Sequence, residues 1–156
     1  MSEFLSLAFA WEVFISAIAT IAFSVLFFVP RKYYALCGLC GAVGWVVYRV
    51  MTTMGISATE ATFFATVAVI FLSRLFAVME RCPATLFLIP GIFPLVPGAG
   101  VYWTSYHIVT NDLAMASETG FAALKAAVAI VLGIIFVFEI PQNVFAALAR
   151  IGKQKA

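Results

Sequence analysis

Long apolar runs separated by short polar clusters dominate the chain. A membrane-crossing helix takes about 20 predominantly apolar residues. On that scale the runs predict spans over 4–28, 33–51, 59–79, 84–108 and 121–140. Pro30-Arg31-Lys32 ends the first run, and a polar loop with Gly55 and Ser57 separates the second from the third. Glu80-Arg81-Cys82-Pro83 closes the third, and a loop with Asn111, Asp112, Ser117 and Glu118 follows the fourth. The fifth meets Pro141, and 142–152 reads as a short interfacial helix before Lys153-Gln154-Lys155. The expectation is an all-α polytopic integral membrane protein, with residues 1–156 as a single transmembrane domain.

Composition agrees with the pattern. The chain is 65% hydrophobic and 10% charged, whereas soluble domains are about 45–50% apolar and about 25% charged. A net charge of +2 with scattered basic residues gives no nucleic-acid stripe. Glu3 precedes the first run and no Lys or Arg does, so the start lacks a basic signal-peptide region and the first span is expected to be retained. Charge also predicts orientation. Arg31, Lys32, Arg81, Arg150, Lys153 and Lys155 fall on one side, and Glu3, Glu60, Asp112 and Glu118 on the other. The positive-inside rule then gives an outside N-terminus and a cytoplasmic C-terminus, in the inner membrane of a cell. Arg49 and Lys125 are mild exceptions near the outer side, where Lys125 is expected to snorkel to the interface.

The fourth run carries a break, Pro90-Gly91-Ile92-Phe93-Pro94-Leu95-Val96-Pro97-Gly98. The three prolines remove the backbone donors that would serve the carbonyls of Leu86, Pro90 and Phe93. Unpaired backbone facing hydrocarbon costs several kcal/mol per group, so this segment belongs in a bundle or beside a polar cavity. Discontinuous helices of this kind build midplane sites in many transporters, and a span centred near Leu95 puts the break near the midplane. A helix restarting after Pro97 would offer the N–H groups of Gly98, Ala99 and Gly100 to a carboxylate. Pro90, Gly91, Pro94, Pro97, Gly98, Ala99 and Gly100 are therefore candidate substrate-binding residues. A kinked packing helix without ligand is the plainer alternative.

Ionisable side chains inside spans are costly and point to function by default. Glu12 lies about 12 Å along the first span at 1.5 Å per residue, a depth comparable with that of Arg49, so the two can pair. Arg74 and Glu139 lie toward the inner ends of their spans and can pair likewise. These four form a candidate proton or charge relay, with snorkelling as the alternative. Ser16, Thr20 and Ser24 follow Glu12 at four-residue spacing, and Thr59, Thr62, Thr66 and Ser73 share a face of the third span. Ser16, Thr20, Thr62, Thr66 and Ser73 are candidates for a polar pathway, or for helix packing by small hydroxyl residues.

Gly38, Gly41 and Gly44 make a smooth stripe suited to close helix contact. Cys37 and Cys40 match C-x-x-C by letter only, and Cys82 is the one further thiol, so no metal site is expected. They read as inert buried residues. His107, the lone histidine, sits at an outer span end. Tyr33, Tyr34, Tyr48, Tyr102, Trp103 and Tyr106 suit interfacial belts. No catalytic constellation of nucleophile, base and orienter is present, so no enzyme and no cofactor is expected.

The stretch Pro83-…-Pro90-Gly91-Ile92-Phe93-Pro94-Leu95-Val96-Pro97-Gly98-…-Tyr102 resembles the Pro/Gly signature of the threonine/serine exporter family. Val29-Pro30-Arg31, the Gly-rich second span, and Ser73-Arg74 before Cys82-Pro83 add to the likeness, which is closest to the family's short C-terminal half. Tyr102 ends the signature and joins the candidate substrate-binding set. The resemblance implies export of small hydrophilic metabolites driven by the proton motive force. Threonine and serine are the named substrates, and some two-component members are linked to dicarboxylates such as succinate. It also implies a larger membrane subunit as partner, since the full architecture has about ten spans. One heterodimer and an oligomer of heterodimers both stay open, as does a second reading, a non-transporting membrane assembly or scaffold protein.

Overall fold

The computed structural model describes residues 7–154, with side chains through Arg150. Glu3, Lys155 and the predicted start at residue 4 lie outside them, as does the side chain of Lys153. The order is α1 (Leu7–Leu26), a 3-10 turn (Arg31–Tyr33), α2 (Tyr34–Thr53), α3 (Ala58–Glu80), α4 (Thr85–Ile92), a second 3-10 turn (Phe93–Leu95), α5 (Gly98–Val109), α6 (Leu113–Phe138) and α7 (Gln142–Gln154). The described residues contain no strand. Four helices are long and apolar enough to cross a membrane. The pair Thr85–Leu95 and Gly98–Val109, bent by 50°, makes a fifth when counted as one broken span.

Local chemistry explains the boundaries. Ser57 caps α3 in a capping box: Glu60 N–H donates to its hydroxyl at 3.3 Å, and Ser57 N–H donates to the Glu60 carboxylate at 3.2 Å. Arg81 ends α3 in the left-handed region at φ 53°. There Cys82 N–H closes on the Ala77 carbonyl at 3.0 Å, the closure of a Schellman-type end. The fifth span starts eight residues before the expected 121, at Leu113. Asp112 caps it by accepting from Met115 N–H at 3.2 Å. Ser117 and Glu118 are therefore helical positions rather than loop.

The α1–α2–α3 sheaf packs through small residues. A Cβ at Gly41 would collide with Thr20, one at Gly38 would lie 3.0 Å from Ile21, and one at Gly44 2.6 Å from Val69 on α3. The glycine stripe thus lets α2 approach two helices at once. The half-helix α4 sits in the crevice of this sheaf, with Phe87 and Pro90 fully buried and Tyr33 edge-on to Phe87. Tyr33 is 4% exposed, so it is a core residue and not part of an interfacial belt. α6 runs alongside α3, where Gly133 faces Thr66. α5 packs chiefly against α6: a Cβ at Gly100 would meet Ala123 at 3.0 Å, and one at Gly120 would meet Thr104 at 3.1 Å.

Candidate functional site

The break is built from three separate repairs. Pro90 leaves the Leu86 carbonyl without its helical donor, and the Cys37 thiol of α2 reaches it at 3.4 Å. The Pro90 carbonyl accepts from Phe93 N–H, and the Phe93 carbonyl from Val96 N–H at 3.1 Å, both in the tighter 3-10 pattern. All three carbonyls expected to be orphaned are therefore paired within the protein. Cys37 does more than fill space, since it supplies the donor that a continuous helix would have held. The bend itself falls at Val96, extended at φ −63° and ψ 130°. This is the conformation that a following proline, here Pro97, imposes on its neighbour.

Beyond the bend a cleft of about 500 Å³ opens. The joint supplies Pro94, Pro97, Gly98 and Ala99; α2 supplies Trp45 and Tyr48; the start of α3 supplies Thr59 and Thr62; and α6 supplies Lys125. Leu95, at the foot of the cleft, lies against Gly44 halfway along α2, while Ser57 and Ala58 form its upper wall. The cleft therefore runs from mid-bundle toward the end of the bundle that carries Glu60 and Asp112. Gly98 N–H donates to the Val96 carbonyl at 2.7 Å. The outward donors of the first turn of α5 are then Ala99 and Gly100, as a helix start leaves such groups without intrahelical partners. A Cβ on Gly98 would meet nothing within 4 Å, so the cleft is open on that side.

The structure sorts the sequence-predicted residues. Pro94, Pro97, Gly98 and Ala99 line the cleft together. Pro90 and Gly91 do not: they are buried in the core, and a Cβ on Gly91 would meet Val69 at 2.9 Å and Cys40 at 3.1 Å. Gly100 serves the α5–α6 contact, and Tyr102 is 63% exposed beside Trp103 and lines no described cavity. Of the hydroxyl residues only Thr62 of the five lines the cleft. Thr20, Thr66 and Ser73 donate to carbonyls four residues back at 2.8 Å, and Ser16 donates to the Gly41 carbonyl at 3.1 Å. Thr62 is bonded in the same way, to the Ala58 carbonyl at 2.7 Å, so its place in the cleft lining alone sets it apart from those four.

Glu12 and Arg49 meet, with Nε 2.9 Å from Oε2. The guanidinium N–H is not aligned as a hydrogen bond. A directed bond to the same oxygen comes from the Trp45 indole N–H at 3.2 Å. Trp45 is also a cleft wall, so the pair stands one side chain behind the cleft. Arg74 and Glu139 do not form the expected pair. Arg74 Nη1 donates instead to the carbonyls of Val137 at 2.6 Å and Ile140 at 2.8 Å, a cation capping the negative end of α6. Glu139 is exposed. His107 lies 3.9 Å from Asp112. Among the described residues no group of three or more His, Cys, Asp or Glu side chains is placed to hold a metal ion.

Sequence reasoning missed Lys125, Trp45, Tyr48 and Thr59 as parts of one site. The signal for Lys125 was present in Asp112, whose cap moves the helix start outward and makes Lys125 the thirteenth residue of α6 rather than an early one.

Comparison with known proteins places these features in context. The family described as threonine/serine exporter, ThrE, matches residues 12–140. A "Probable threonine/serine exporter" of Mycobacterium tuberculosis is 25% identical over 123 residues, covering 76% of this chain and 23% of that protein. An "Uncharacterized protein" of Haemophilus influenzae is 27% identical over 92 residues, covering 59% of this chain and 31% of that protein. The alignments thus span less than a third of either relative's length. No solved structure matches.

Proposed function

Because the chain belongs to the threonine/serine exporter family, we propose that it forms part of a membrane exporter of small carboxylate-bearing metabolites, threonine and serine or a dicarboxylate such as succinate. The observation that carries this reading is the cleft at the broken helix. It joins Gly98 and Ala99 of the first turn of α5 with Lys125, Thr59 and Thr62 around one volume of about 500 Å³. A carboxylate is attracted by the positive end of α5 and by Lys125. The hydroxyls and the aromatic walls of Trp45 and Tyr48 suit the remaining polar and apolar parts of a small metabolite. A scaffold protein would have no use for a cation and open helix donors around one cavity.

The exporter sits in the inner membrane with the Arg31, Lys32, Arg81 and Arg150 end in the cytoplasm. It draws on the proton motive force, and Glu12 is the carboxylate best placed to carry the proton, since Trp45 links it to the cleft wall. A larger membrane subunit completes the site on the side that Gly98 leaves open. The test is efflux of threonine, serine and succinate from cells that express this chain with a larger subunit of the family, and from cells lacking either. The reading requires that efflux of at least one of the three collapse when this chain is removed and return when it is restored. Equal efflux with and without the chain refutes it.

A further inference from the structure

A second polar region lies at the opposite, basic end of the bundle. There a cleft of about 540 Å³ is lined by Arg74, Arg81 and Gln142 above the apolar walls of Pro83, Phe138 and Phe145. A smaller cleft of about 190 Å³ adjoins it, shares Arg81 and adds Arg150 from α7. Three arginines thus converge where the end of α3 meets α7. The ion pairs of the described residues involve none of them, so no carboxylate of a described residue lies within 4.0 Å of these guanidinium groups. Glu80 and Glu139, the nearby acids in sequence, line neither cleft.

The arginines are held in place. Arg74 stacks on Phe145 at 4.3 Å and Phe138 at 5.2 Å while Nη1 caps α6. Its Nη2 and Nε donate to no protein acceptor among the described residues. Arg81 occupies the left-handed end of α3 at φ 53°, a position that glycine fills at lower conformational cost, and its side chain makes no described hydrogen bond. α7 rests on α3 through the fully buried Phe145, whose ring lies 5.1 Å from that of Phe71. Both clefts include the last turn of α3, at the bundle end that also carries Arg150, and basic residues at the end of a membrane bundle meet the headgroup layer. Guanidinium groups at that depth above apolar walls suit a phosphate diester with glycerol and acyl carbons beneath it.

We propose that these joined clefts bind a phosphate-bearing anion, the headgroup of an anionic phospholipid, and so fasten α7 to the end of α3. The site is separate from the export cleft and does not rest on the transport reading. The test uses the full chain in detergent, exchanged into mixed micelles of phosphatidylglycerol and phosphatidylcholine with equal acyl chains, and native mass spectrometry to count retained lipids. The expected result is one preferentially retained phosphatidylglycerol, with that preference falling about fivefold for each of Arg81→Gln and Arg150→Gln. Arg74 is left intact because it caps α6. Circular dichroism melting of both variants, expected to match the parent, separates lost binding from lost fold. Titration with glycerol phosphate distinguishes the source. Failure to displace the lipid at equimolar concentration assigns the site to the membrane, and displacement at that concentration to a soluble phosphate ester. No preference for phosphatidylglycerol in the parent, or a preference unchanged in the double variant, overturns the proposal.

Discussion

Replacing Lys125 by Gln removes the one cation among the described residues that line the cleft at the broken helix, while keeping most of the side chain's length. Among the described residues no carboxylate lies within 4.0 Å of its ammonium, and its nearest described partner is the face of Phe121, 5.5 Å from Nζ to ring centroid. The charge is therefore free to meet a ligand. A carboxylate about 4 Å away gains roughly 1 kcal/mol in water and about 4 kcal/mol at an effective dielectric of 20. Because the cleft is open, the lower part of that range applies, about 1–2 kcal/mol, or roughly a 5- to 30-fold weakening of apparent affinity. The assay is initial-rate efflux against internal substrate concentration, normalised to the amount of chain in the membrane. Lys125→Gln should raise the half-saturating concentration by that factor, and Lys125→Arg should restore most of it. The effect should shrink as ionic strength rises, since an exposed charge is screened within about 10 Å at 0.1 M salt. Half-saturation unchanged in Lys125→Gln, at equal abundance, would refute a charge-assisted carboxylate site here.

Gly98→Val should block efflux without loss of folded protein, because its Cβ enters open cleft, whereas Gly100→Val should lower folded yield by crowding Ala123, at a cost of about 1–3 kcal/mol; efflux and detergent-solubilised yield, measured side by side, separate the two. Glu12→Gln should leave substrate binding in place but make efflux insensitive to an imposed pH gradient, read in proteoliposomes with and without the gradient; retained sensitivity would remove Glu12 as proton carrier. Gly41→Leu should prevent assembly of α1 on α2, since even a Cβ collides with Thr20, and a normal yield of monodisperse protein would contradict the packing described. Cys37→Ala should destabilise the bundle by about 1 kcal/mol through the unpaired Leu86 carbonyl, and Cys37→Ser should recover part of it, as read from thermal inactivation in detergent.

Apolar run length and prolines were legible without coordinates because each acts over a few residues. The second and third spans end within two residues of the expected 33–51 and 59–79, and the bend falls inside the predicted Pro/Gly stretch. The role of each proline was not legible, because it depends on what stands opposite. Pro90 stays inside α4, since a thiol from another helix answers the missing donor; only Pro97 turns the chain, through Val96. The glycines of the break divide in the same way. Gly91 and Gly100 are small because Val69, Cys40 and Ala123 press against them, while Gly98 alone opens onto the cleft. The four-residue hydroxyl stripe after Glu12 was visible, but whether a hydroxyl faces a pathway or its own helix is decided by the neighbouring backbone, here the Gly41 carbonyl for Ser16.

Lys125 shows how one boundary controls a functional assignment. With a span beginning at 121 it is an early residue that snorkels; with Asp112 as the cap it is the middle of a helix of 26 residues. That helix presents it at the mouth of a cleft rather than at a helix end. The arrangement also explains why the cleft is incomplete. α5 leaves the bundle at 50° and leans on α6, so one face of the joint stays uncovered at Gly98. A substrate carboxylate held only by Lys125 and the first turn of α5 would remain exposed to water on that face, where such attractions weaken severalfold. On the proposed exporter reading, tight and selective binding would need a further wall that excludes water, and the open side of Gly98 is where a second membrane subunit would supply it.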